Sequence, residues 1–134
     1  MDTGKQPGIR FDNVILRELT FTRKAEILAQ AELKIDFQTS SSISPDNTQL
    51  VHDITCEVNE TGGSFNIKCS MVGIFSIVSG EANMDLELFA KENAPALMLP
   101  FIREVIASTT LRAGVPPIML PPLNVHALQK TQSH

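Results

Sequence analysis

Tryptophan and tyrosine are absent from this chain of 134 residues, and its 5% aromatic content is phenylalanine alone. That removes most of the stacking side chains on which single-stranded nucleic acid is held. The 11 Lys and Arg residues form no cluster and are outnumbered by 15 Asp and Glu. Nucleic-acid binding depends on neutralising several neighbouring phosphates, so no such partner is expected. A transmembrane span needs about 18 or more uncharged apolar residues in a row. None exists, because Arg103, Glu104 and Arg112 interrupt the richest apolar stretch, and direct membrane insertion is not expected. The opening MDTGKQPGIR lacks the apolar centre of a secretory signal, which makes the cytoplasm the expected location.

Cysteine is scarce too. Cys56 and Cys69 are the only two, and in a reducing compartment they should be buried free thiols rather than a disulfide. No CxxC or HxxxH spacing frames a metal, and no GxSxG, phosphate-cradling glycine loop or dinucleotide fingerprint occurs. His52 and Cys56 share one strand face with Cys69 across a hairpin, so a Cys–His pair or partial metal site is conceivable. The Leu-His-Ile-Cys-Val alternation there reads instead as core. The carboxylates lie on strand faces expected to be solvated, and none is placed as a general acid or base. An enzyme is not expected, and no cofactor or metal is implied.

What the chain does have is apolar surface: 43% hydrophobic residues against 19% charged, a composition that suits one globular domain over residues 1–134. The stretch Leu97–Leu123 is the richest. Leu97, Phe101 and Val105 recur every fourth residue, as do Met98, Ile102 and Ile106, so a helix there is apolar around more than half its circumference. A sheet must cover one side and a second copy of the chain the other. Phe101, Ile102, Val105 and Ile106 are the expected oligomer contacts. Asn93 is the expected N-cap, Pro95 fits the first turn, Pro100 should kink the helix, and Gly114 should end it. The prolines from Pro116 to Pro122 then hold an extended backbone.

Four segments of period-two alternation precede the helix. Ile9 to Phe21 alternates on its odd positions, and Asn13 and Arg17 break the pattern, marking a bulge or a place where the strand leaves cover. A crossing segment, Thr22–Gln30, leads to a second strand on which Ala31, Leu33, Ile35 and Phe37 share a face. Ser40–Asn47 is dense in turn formers and reads as a loop. Leu50–Val58 and Phe65–Met71 flank Glu60-Thr61-Gly62-Gly63, a tight antiparallel hairpin. An apolar stretch, Gly73–Gly80, and a helically spaced segment, Glu81–Glu92, complete the chain up to the long helix. A short last helix is expected from Asn124 to about Lys130. The fold class is therefore α+β: a four-stranded antiparallel sheet covered by a long C-terminal helix and a short last helix.

Several pieces carry a family resemblance. Gly73-Ile74-Phe75-Ser76-Ile77, Pro100 followed by Arg103-Glu104-x-Ile106-x-Ser108, Arg112-x-Gly114-x-Pro116, and Leu120-x-Pro122-x-Asn124-x-x-Ala127-Leu128 stand in this order and spacing. Together they resemble SecB, the bacterial protein-export chaperone. The likeness runs ungapped from about Ser64 to Leu128 and is weaker before that, as in Gln30-x-Glu32-Leu33-Lys34-Ile35-Asp36.

The resemblance implies a SecB-like fold, dimers pairing into a tetramer, and ATP-independent binding of unfolded or aggregation-prone polypeptides along apolar grooves. By position it assigns client binding to Leu28, Leu33, Ile35, Leu123, Val125 and Leu128. It also implies SecA, the translocation ATPase, as a partner docked on an acidic sheet face. The matching positions are Glu18, Thr22, Asn66 and Lys68; only Glu18 keeps the expected charge, and Lys68 reverses it. Export is the first functional expectation. A SecB-like chaperone outside export, for example one protecting an antitoxin, and an oligomeric interaction protein without general chaperone activity are the alternatives.

Overall fold

The computed structural model describes residues 8–24, 32–78, 85–116, 118 and 120. Among these residues four strands, β1 (Ile9–Arg23), β2 (Leu33–Ile43), β3 (Gln49–Glu60) and β4 (Phe65–Ile77), precede two helices, α1 (Leu86–Glu92) and α2 (Ala94–Arg112). The strands form one antiparallel sheet in the order β1-β4-β3-β2, the α+β architecture expected from the sequence. The central pair shows why. Leu50, His52, Ile54, Cys56 and Val58 alternate on β3 and stand opposite Phe75, Gly73, Met71, Cys69 and Ile67 of β4. Directly opposed residues of an antiparallel pair share a face, so two period-two patterns merge into one apolar layer, and both cysteines in it are free and buried.

The hairpin between these strands is set by Glu60 as much as by its glycines. Gly63 takes the positive φ of +85°, while the Glu60 carboxylate accepts bonds from the backbone N–H of Gly62 (2.9 Å) and Ser64 (2.9 Å) and from Ser64 Oγ (2.8 Å). These donors hold the carboxyl below its ordinary range.

β1 departs from simple alternation. Its register against β4 slips between Phe11 and Asn13 and again between Leu16 and Glu18, at the two places where the pattern breaks. Each bulge reverses the parity of the strand. Phe11, Val14, Leu16, Leu19 and Phe21 therefore share the inner face, whereas Ile15, expected inside, stands opposite Val72 on the outer face and is 45% exposed.

Two boundaries are corrected. Ser40–Ile43 is strand rather than loop, because Ser40, Ser41, Ser42 and Ile43 pair with Asp53, His52, Val51 and Leu50. The turn itself is closed by Asp46, which accepts from the hydroxyls of Ser44 and Thr48 at 2.7 Å, with Asn47 left-handed at φ 62°. Gly73–Ile77 likewise continues β4 instead of lying between sheet and helix. Gly73 is needed there: a Cβ would sit 2.8 Å from Met98 Sδ, so the missing side chain is what lets α2 approach the sheet.

Within Glu81–Glu92 the described helix is α1, capped by Asp85, whose carboxylate accepts from Glu87 N at 2.9 Å. Asn93 joins α1 to α2 in a helical conformation and makes no side-chain cap bond, which corrects its expected capping role. α2 continues through Pro100 and ends before Gly114, which takes φ +71°. The Arg23 guanidinium donates to the Ala113 carbonyl, a cation at the negative end of the helix.

The two apolar stripes of α2 have separate fates. Met98, Ile102, Ile106 and Thr110, one every fourth residue, are fully buried, and α2 lies mainly over β4. This corrects the expected oligomer contacts at Ile102 and Ile106. Both side chains are inside the protomer and have no surface left to offer a second copy. Leu97, on the opposite stripe, is 43% exposed, and Phe101 and Leu111 are also exposed.

Candidate functional site

Three surfaces hold the residues singled out in the sequence. The first is the start of β2. Leu33 and Ile35 stand opposite Glu60 and Val58, so they belong to the inner, apolar face. Among the described residues, however, β2 is the last strand of the sheet, and no described strand pairs with its far edge. Leu33 is accordingly 37% exposed, and Ile35 is half-buried against the core. Leu28, Leu123, Val125 and Leu128, expected beside them, lie outside the described residues, as does the short last helix.

The second surface is the uncovered side of α2. Leu97, Phe101, Val105 and Leu111 lie within one stripe at helical spacing, with Val105 half-buried and the other three exposed. Phe101 meets Phe11 of β1 edge to face, ring centroids 5.9 Å apart. This draws the stripe towards Leu16 and Leu19, inner-face residues of β1 that remain exposed because α2 crosses β4 rather than the sheet edge. Alternation put Leu19 on the inner face but could not show that it stays exposed, and it put Leu16 on the outer face, because the parity change at the bulge is invisible to it.

The third surface is the outer face of the sheet. Glu18 stands opposite Ser70, Thr20 opposite Lys68 and Thr22 opposite Asn66. Three successive rungs thus bring Glu18, Thr22, Asn66 and Lys68 together. The rung through Lys68 continues to Glu57 and Asp36, two carboxylates not singled out in the sequence; only register could place them there. Glu57 also accepts from Asn66 Nδ2 at 3.1 Å. Nearby, Arg17 pairs with Asp53 at 2.9 Å, while Thr55 and Ser70 hydroxyls meet at 2.7 Å. The charged patch is therefore mixed in sign rather than acidic.

Chemistry at the His52, Cys56 and Cys69 cluster is suppressed by its surroundings. Burial pushes the Cys56 thiol up to about 12, with Cys69 adding to it, and burial pushes Cys69 up to about 11. Neither provides appreciable thiolate near neutrality, and the thiolate is the reactive form. Burial moves His52 the other way, down to about 4, so its imidazole is neutral at physiological pH. Among the described residues no three His, Cys, Asp or Glu side chains gather as a metal site. No described helix is long and apolar enough to cross a membrane.

The chain matches the family model of SecB, preprotein translocase subunit SecB, over residues 3–134. It is 30% identical over 105 residues to the protein-export protein SecB of Legionella pneumophila (strain Philadelphia 1), an alignment that covers 77% of this chain and 64% of that protein. It thus spans somewhat under two thirds of that relative. The SecB of Chromobacterium violaceum is 28% identical over 140 residues, covering 95% of this chain and 89% of that one. In structure, the chain resembles a SecB-like chaperone of Mycobacterium tuberculosis solved in complex with a ChAD peptide from the HigA1 antitoxin. The TM-score is 0.72 at 19% identity, over 86% of this chain and 90% of that one, a likeness of fold. With the family matched over nearly its whole length, the chain belongs to the SecB family.

Proposed function

We propose that this protein is an ATP-independent holding chaperone of the cytoplasm, which binds extended, aggregation-prone segments of unfolded polypeptides as a homo-oligomer, a tetramer built as a dimer of dimers. The observation that carries this reading is the lip at Leu33 and Ile35. Apolar side chains of the core face emerge there beside a strand edge that no described strand fills. An extended segment can seat apolar side chains there while its backbone meets the open edge. The exposed stripe Leu97, Phe101 and Leu111, with Leu16 and Leu19, supplies the contact between copies.

Leu33→Ser with Ile35→Ser should weaken capture of an unfolded protein about tenfold or more, since burying one such apolar side chain against a client is worth roughly 1.5 kcal/mol. The readout is suppression of aggregation of an unrelated unfolded protein, beside light scattering to show that assembly is unchanged. Undiminished capture places the client site elsewhere.

For the partner, export through SecA is the first reading, and Lys68 favours a second, outside export. A cation on the outer face weakens complementarity to a basic partner surface, and partner choice depends chiefly on such complementarity. SecA from a typical SecB-containing bacterium should bind weakly, and Lys68→Glu with Thr22→Glu should strengthen binding in a salt-sensitive way. Calorimetric titration checks it, and tight binding by the native chain restores the export reading.

A further inference from the structure

At the far end of β2 from Leu33, a cleft of about 490 Å³ opens between β2, β3 and α1, with Thr39, Ser41, Ile43, His52, Glu87 and Lys91 among its lining residues. It is of a size that takes small ligands and side chains. Its floor is unusual. His52 is 1% exposed, yet neither Nδ1 nor Nε2 has a hydrogen-bond partner, and the buried Thr39 Oγ1 has none either. Buried polar groups are nearly always satisfied, and orphans gathered in one place indicate something that completes them. Ser41, directly opposite His52 in the register, adds a second hydroxyl.

The chemistry of the missing group follows from these side chains. A neutral imidazole presents one donor and one acceptor, and a hydroxyl turns to serve as either. Glu87 and Lys91, one turn apart on α1, set opposite charges at the wall, so an ion of either sign meets a like charge. An uncharged group that both donates and accepts fits best, and its aliphatic stem can lie on Ile43. We propose that this cleft is a polar subsite taking one carboxamide side chain, Asn or Gln, from an extended polypeptide that lies along the open edge of β2. The proposal rests on the chaperone reading and gives its groove a second specificity. Ile35 and Ser41 are six residues apart on one strand, about 20 Å, so the carboxamide stands about six residues from the apolar side chain seated at Leu33 and Ile35.

The test uses the full chain and a set of twelve-residue peptides, each with a Leu-x-Leu anchor and, six residues away, Gln, Ala, Glu or Lys. Fluorescence anisotropy should rank Gln about tenfold tighter than Ala, and Thr39→Val should abolish that preference while sparing anchor binding. On the native chain, the ¹⁵N resonances of the His52 imidazole should move with the Gln peptide and not with the Ala peptide, a readout that needs no variant to fold. Equal binding of Gln and Ala peptides, with the imidazole unmoved, overturns the subsite and leaves the chaperone reading standing. Preference for Glu or Lys overturns the carboxamide assignment. Failure of every peptide to bind removes the chaperone reading and the subsite with it.

Discussion

Ile102→Asp should leave no folded protein, whereas Leu97→Asp, five positions earlier on the same helix, should fold normally and fall apart into smaller assemblies. Ile102 is fully buried against the sheet, and Leu97 is 43% exposed on the other side of α2. An aspartate at position 102 forfeits about 2–5 kcal/mol of core packing. Its carboxylate, unpaired and out of water, adds a further penalty of several kcal/mol. That sum rivals the whole stability of a small domain, roughly 5–15 kcal/mol. At position 97 the same carboxylate is hydrated in the separate protomer and becomes costly only where copies meet. Circular dichroism and multi-angle light scattering on both variants check this. A folded, monomeric Ile102→Asp chain would show that this stripe joins protomers after all, and an intact Leu97→Asp oligomer would clear the exposed stripe of any role in assembly.

Acidification from pH 7 to pH 5 should cost the folded state about 2 kcal/mol through His52 alone. Burial lowers its pKa from the ordinary 6.5 to about 4. Across that interval the unfolded chain binds a proton that the native chain does not, so stability falls as pH drops below about 6.5 and levels off below about 4. Asp12, Asp46 and Glu60, whose pKa values are lowered in the fold, act in the same sense but only further into acid. The window between pH 6.5 and 5 therefore reports on the histidine. Urea unfolding at one fixed protein concentration, comparing the native chain with His52→Leu, isolates the contribution. The variant should lose most of the pH dependence in this window; an unchanged slope would mean that the imidazole is hydrated in the native state.

Local pattern was enough to find the central hairpin, because period-two alternation on either side of its turn puts Ile54, Cys56 and Val58 on the same face as Met71, Cys69 and Ile67, which stand opposite them, but it stopped short of Gly73–Ile77, where β4 runs on. It also marked the two bulges of β1 and the glycine that ends α2. The family, too, is legible in ordered short motifs, each weak alone. What alternation cannot carry is parity across a bulge, and so Ile15 lies outside while Leu16 lies inside. Nor can an all-apolar helix reveal which stripe meets its own sheet. Ile102 and Phe101 are adjacent and equally apolar in sequence, but helical phase and the gap left by Gly73 press the row of Met98, Ile102 and Ile106 onto β4 and turn Phe101 outward. The same holds for His52, which reads as one more residue on a core face. Only the packing of the helices over this part of the sheet makes it a buried imidazole without a partner. Pattern along the chain determined which residues leave water together; the three-dimensional arrangement decided what covers them, because exposure depends on neighbours distant in sequence.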